Sequence, residues 1–199
     1  MNAVTDHLQD RRLGKVCPWY VAYTFDNWLR GLAHKPERIL GEYVKPGMRV
    51  ADLGCGMGFF SLAMARMVGD VGQVLSVDVQ DKMLARVERR AQAAGLDRII
   101  ETRLVGAGSL GLAGTLAGPL DFALCFWMLH EVPDPGAFLK EVHELLAPGG
   151  CCLVAEPGIH VRRAVFEQEC GLAVAAGFEV MALPKVRLSR AVALRRPQG

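Results

Sequence analysis

The segment from Val50 to Phe60, VADLGCGMGFF, leaves the backbone around it few options. An apolar run carries one acid, Asp52, into glycines at alternate positions, and an amphipathic stretch opens at Phe59. A chain that leaves a buried strand and enters a helix so soon must turn sharply and keep its backbone bare, which Gly54, Gly56 and Gly58 allow. A second apolar run, Gln73 to Val77, also ends in an acid, Asp78. Strand, glycine turn, helix and strand begin an alternating α/β chain, and such alternation implies a parallel sheet.

The alternation continues. Strands are expected at residues 48–53, 73–78, 99–104, 120–126 and 150–156, with helices opening near Phe59, Asp81 and Pro135. The helix from Asp81 is the clearest, because Met83, Leu84, Val87, Ala91 and Ala94 make one apolar stripe. Lys82, Arg86, Arg89 and Arg90 face away as a solvated surface, and Gly95 ends the helix. Beyond residue 157 the pattern gives a helix over 161–176, then two strands, 178–183 and 188–194, joined around Pro184 and Lys185.

At 199 residues, one domain with a substantial core is the natural expectation. A net charge of +2 calls for neither nucleic acid nor a membrane surface. Apolar runs are broken by Gly, Asp or Arg before the roughly 18 residues a membrane span needs. Asp6, Asp10, Arg11 and Arg12 interrupt any signal-peptide core, so a cytoplasmic location is expected. The six cysteines form no Cys-x-x-Cys pair and read as buried thiols in a reducing compartment, with Cys17 as the exception.

The glycine spacing separates two nucleotide-binding readings. A dinucleotide turn reads G-x-G-x-x-G/A, which from Gly54 would require a small residue where Phe59 stands. The spacing present is D-x-G-x-G-x-G, from Asp52 to Gly58, and it resembles the first motif of class I S-adenosylmethionine-dependent methyltransferases. Asp78, at the end of the second strand, matches that family's ribose-binding acid. Asp121 in a fourth strand, the run Phe126 to Asp134, and the Pro148-Gly149-Gly150 block before a fifth strand extend the resemblance over residues 48–157. Within the family, Leu129-His130-Glu131-Val132-Pro133-Asp134 is similar to the small quinone-biosynthesis and arsenite methyltransferases.

The resemblance implies a doubly wound, mainly parallel seven-stranded Rossmann-like sheet, with one antiparallel strand inserted from the terminal hairpin. A helical cap over residues 1–46 would precede a methyltransferase domain over 47–199, together one globular unit. Within the cap, Trp19, Tyr20, Tyr23, Phe25 and Trp28 cluster and would pack on the sheet or roof the acceptor site. The implied cofactor is S-adenosyl-L-methionine, leaving as S-adenosyl-L-homocysteine. Its implied contacts are Asp52, Gly54, Cys55, Gly56, Gly58, Asp78, Val79, Met83, Gly106, Ala107 and Phe126. The loop from Val105 to Leu110 lacks the carboxylate many relatives use for adenine, so backbone near Gly106 or Ala107, or the Ser109 hydroxyl, would serve.

Methyl transfer asks mainly for orientation, with a base only where the acceptor must lose a proton. His130 and Glu131 follow the fourth strand at the edge where open sheets bind ligands, and His160 follows the fifth; these are the candidate bases. Each has a plainer alternative: His130 ordering its loop, Glu131 capping the helix near Pro135 or pairing with an arginine, His160 filling a loop. Ala155-Glu156-Pro157-Gly158 departs from the magnesium-binding pattern of catechol-type relatives, and no metal site is expected. The Pro-Pro-aromatic motif of amino-methylating DNA enzymes is absent after the fourth strand, as is any basic tract. A small-molecule acceptor is favoured over nucleic acid or membrane, in a monomer or homodimer. The competing readings are a nicotinamide-dependent oxidoreductase and a non-catalytic S-adenosylmethionine-binding protein.

Overall fold

The computed structural model describes residues 34–198. A short helix, α1 (Pro36–Leu40), leads into β1 (Arg49–Leu53), α2 (Phe59–Val68), β2 (Gln73–Asp78), α3 (Asp81–Ala93) and β3 (Ile100–Leu104). The second half runs β4 (Leu120–Phe126), a 3-10 turn (Leu129–Glu131), α4 (Pro135–Leu145), β5 (Leu146–Pro157), α5 (Arg163–Ala175), β6 (Glu179–Ala182) and β7 (Ser189–Arg195). The strands form one seven-stranded sheet in the order β3-β2-β1-β4-β5-β7-β6. Strands β1 to β5 are parallel, and β7 lies antiparallel between β5 and β6. The expected doubly wound architecture is therefore present, including the inserted antiparallel strand.

Both sheet faces are covered, which is why β1, β2 and β4 are almost continuously apolar and buried. Leu40, Phe60, Met64, Val68, Leu84 and Val87 bring α1, α2 and α3 onto one face. Phe138, Leu139 and Val142 of α4, with Phe166 and Ala173 of α5, close the other. Crossovers depart in opposite directions from β1 and β4, so the topological switch point lies between their carboxyl ends, where open α/β sheets bind ligands. A cavity of about 110 Å³ lies at the opposite edge, among Arg49, Gln73, Glu101 and Arg103, remote from that crevice.

Three local expectations need correction. The α3 stripe buries Met83, Leu84, Val87 and Ala91, but the helix has ended before Ala94, which is exposed. Leu96 takes its place in the core, with its N–H on the Ala91 carbonyl at 2.8 Å and Gly95 at φ +68° between them. Arg90 is not simply solvated, since its Nη1 donates to the Met57 carbonyl at 2.7 Å and braces the glycine turn. Strand β5 begins at Leu146, ahead of the expected 150, because Leu146 pairs with Leu120 before a register shift. A side chain at Gly150 would meet the Ala147 and Leu120 carbonyl oxygens at 2.9 and 3.1 Å, so only glycine threads this irregularity.

Cys17 and the aromatic residues Trp19, Tyr20, Tyr23, Phe25 and Trp28 lie outside the described residues. Of the proposed cap, the structure describes residues 34–46, with α1 as their helix. Among the described residues no helix is long and apolar enough to cross a membrane.

Candidate cofactor and acceptor site

The glycine turn is built by three different requirements. Gly54 and Cys55 both donate backbone N–H groups to the Val77 carbonyl, at 2.8 and 2.9 Å, and pin the turn to β2. Gly54 has φ +71°, and a Cβ there would stand 2.8 Å from Cβ of Met128. Gly58, at φ +80°, precedes α2 where a Cβ would press on Leu62 and Val87 at 3.0 Å. Gly56 also has positive φ, +52°, but faces open space with no atom within 4 Å of the Cβ position. Gly54 and Gly58 are thus demanded by protein packing, whereas Gly56 leaves room for a ligand.

Below the turn, Asp52 is buried and accepts the Ser61 hydroxyl at 2.6 Å, which ties β1 to the first turn of α2. Cys55 is buried too, and burial, with Asp52 and Asp78 nearby, pushes its thiol far up. Asp78 accepts the Gly56 N–H on Oδ2 and the Gln80 N–H on Oδ1, both at 2.9 Å. Burial raises its carboxyl to about 6 against the pull of backbone N–H groups of Gln80, Gly56 and Val79, and the charge of Glu131 adds to the rise. Three backbone N–H groups converge on its two oxygens, which leaves the carboxylate about one further acceptor position.

The flanks are apolar. Val79 is half-buried beside Asp78 and Met83 is buried on α3, while Gly106 and Ala107 form the solvent-facing turn after β3, where Gly106 bridges Ser109. Phe126 lies in the core: its ring packs at 4.5 Å from Phe60 and 5.1 Å from His34, so its side chain supports the crevice from beneath.

Beyond β4 the chain meets a buried ionisable group. Glu156, near the end of β5, is wholly buried; its Oε1 accepts the Leu129 N–H at 2.9 Å and its Oε2 accepts Nδ1–H of His130. Nε2 of His130 lies 3.9 Å from Oε1 of Glu131. The His160 ring stands edge-on to that of His130 at 5.0 Å. Burial pulls the His130 imidazole down, but the hydrogen bond and charge of Glu156, with Glu131 and Glu169, outweigh it and leave it raised. The three candidate bases therefore come together at one strand edge. Asp134, not Glu131, caps α4, accepting the Ala137 N–H at 2.9 Å.

Between Phe126 and this pair stands Trp127, at φ +60°, a left-handed conformation that costs a bulky residue appreciable strain. Its backbone N–H donates to Ala155 at 2.7 Å and its Nε1–H to the Ser189 hydroxyl at 2.8 Å. The His34 ring meets it edge-on at 5.0 Å, with His34 Nε2–H donating to the Arg187 carbonyl at 2.9 Å. These contacts hold the chain where it turns after β4, three residues ahead of His130.

Sequence reasoning missed Glu156 as a site residue, along with Ser61, His34 and Glu169. Two had a signal: Glu156 is an acid closing an otherwise apolar strand, and Glu169 falls on the apolar stripe of α5 between Phe166 and Ala173.

A methyltransferase domain family matches residues 44–179, from the end of the α1 segment to the first residue of β6. The chain belongs to this family. Among curated relatives, the ubiquinone biosynthesis O-methyltransferase of Psychrobacter cryohalolentis is 31% identical over 143 residues, which cover 72% of this chain and 54% of that protein. The chain spans about half the length of the curated relatives it matches. Among solved structures, a SAM-dependent methyltransferase from Aquifex aeolicus superposes with a TM-score of 0.78 at 24% identity, covering 91% of this chain and all of the other. The [4+2]-cyclase SpnF superposes at 0.69 with 20% identity, over 83% of this chain and 82% of its own. The fold of this methyltransferase domain is thus shared with an enzyme named for a different reaction. The match leaves the nicotinamide reading without support.

Proposed function

We propose that this methyltransferase-family protein transfers a methyl group from S-adenosylmethionine to a hydroxyl of a small organic acceptor, with His130 as the base. The carrying observation is the His130–Glu156 pair set beside a glycine turn whose central residue, Gly56, faces open space. The residues present fit the cofactor: Asp78 has an acceptor position to spare for a ribose hydroxyl, Gly56 admits close approach, and Val79 with Met83 offers apolar contact. Bound there, the cofactor supplies a methyl group activated by its sulfonium.

The chain's own part is positional and protonic. Glu156 holds Nδ1–H of His130, so the lone pair is left on Nε2, 3.9 Å from Oε1 of Glu131. A hydroxyl placed against Nε2 gives its proton to the imidazole as the oxygen attacks. An oxygen acceptor is supported by that base and by the O-methyltransferase name of the Psychrobacter relative. Labelled methyl transfer from S-adenosylmethionine into hydroxylated aromatic and aliphatic metabolites tests the reading. Calorimetric binding of the cofactor without turnover of any acceptor would leave a binding protein. Cofactor binding by neither method would remove the proposal altogether.

A further inference from the structure

The cavity at the amino edge of the sheet takes no part in methyl transfer. Register sets Arg49 beside Gln73 and Ala51 beside Leu75, while Leu75 also neighbours Glu101 and Val77 neighbours Arg103. Arg49, Gln73, Glu101 and Arg103 therefore project from the same face as Ala51, Leu75 and Val77, which are buried in one cluster with Leu110 and Leu112. Residues Thr115 to Ala117 complete the wall of the cavity. A polar row on a face that is otherwise apolar calls for a physical reason.

Three of the four side chains satisfy one another. Glu101 accepts Nε–H and Nη2–H of Arg103 on Oε1, at 2.7 and 2.5 Å, and Nε2–H of Gln73 on Oε2 at 3.1 Å. Arg49 stands apart. Its backbone N–H ties β1 to Oδ2 of Asp121 at 2.8 Å, a bond that any side chain at this position would allow. Its Nε is buried with no hydrogen-bond partner, and among the described residues no carboxylate pairs with its guanidinium. An unpaired buried N–H on a charged group is costly. The edge formed by Nε–H and Nη–H is also the fork that grips two oxygens of one carboxylate or phosphoryl group. We propose that this cavity of about 110 Å³ binds a small oxyanion in bidentate contact with Arg49. Two guanidiniums against the single carboxylate of Glu101 leave its wall positive, and Asp121 is engaged by the β1 backbone. The site lies at the far end of β1 from the glycine turn, so it is separate from the cofactor crevice and independent of the role of His130.

Sodium phosphate and sodium propanoate, each added to the full chain at an ionic strength held constant with sodium chloride, test the site by proton–nitrogen NMR of the Arg49 Nε–H. A saturable shift of that resonance, and of the amides that open β1, β2 and β3, is expected. A response to propanoate alone assigns a carboxylate ligand, to phosphate alone a phosphoryl ligand, and to both a site for either oxyanion. Arg49→Lys keeps the charge and loses the fork, and should weaken binding roughly tenfold, as should Arg49→Gln, with S-adenosylmethionine affinity unchanged in both. Shifts that rise linearly without saturation for both salts, or equal binding by folded Arg49→Lys and Arg49→Gln proteins and the parent, overturn the proposal. Should neither variant fold, the titration of the parent protein decides it alone.

Discussion

Asp78 concentrates the cofactor question in one carboxyl. Unfolded, it ionises near 3.8; folded, burial holds it at about 6, so ionisation opposes folding. Its contribution to stability is full below the unfolded value and is lost as pH rises through about 6. A ribose hydroxyl donates to the ionised form, so S-adenosylmethionine affinity should weaken as pH falls below about 6, and calorimetry between pH 5 and 8 reads the slope directly. Asp78→Ala should weaken cofactor binding by about 1–3 kcal/mol at neutral pH by removing a charged acceptor; an unchanged dissociation constant would exclude the ribose role. His130→Ala is expected to lower turnover by roughly 10²-fold or more, with cofactor affinity nearly intact. A rate equal to that of the parent enzyme would show that His130 only orders its loop.

The turn between β1 and α2 behaves as an element, because its glycines answer to different neighbours. Gly54→Ala drives a methyl into Met128 in a left-handed conformation, and should lower stability by roughly 2 kcal/mol or more in urea titrations. Gly56→Ala carries the backbone cost alone, about 1 kcal/mol, yet should abolish measurable cofactor binding because its Cβ enters the ligand's space. Equal stability losses and equal cofactor affinities in the two variants would contradict that division. Ser61→Ala strips the hydroxyl from a buried carboxylate and is expected to cost about 1–3 kcal/mol, read as a lowered midpoint. The strands and α3 were legible because apolar periodicity and glycine stops act within a few residues. The early start of β5 was not, since it follows from pairing with Leu120 across the sheet.

At the scale of the whole molecule, local sequence carries only what the chain's own covalent geometry enforces. The run from Asp52 to Gly58 permits a sharp strand-to-helix turn, and alternating apolar segments require a sheet covered on both faces, so the α/β class and the cofactor edge could be read directly. His130, Glu131 and His160 could also be nominated, because each follows a strand at that edge. Their roles could not be assigned. Glu156 is separated from His130 by a whole helix and reaches it only when β4 and β5 pair in the sheet. The sequence alone determined the fold class, the glycine turn and the acid that ends β2. Tertiary structure decided that Gly54 answers to Met128 while Gly56 stays open, and that a buried carboxylate fixes the His130 tautomer. The physical reason is range: backbone sterics and periodicity act between near neighbours, whereas burial and electrostatics depend on which distant segments exclude water together.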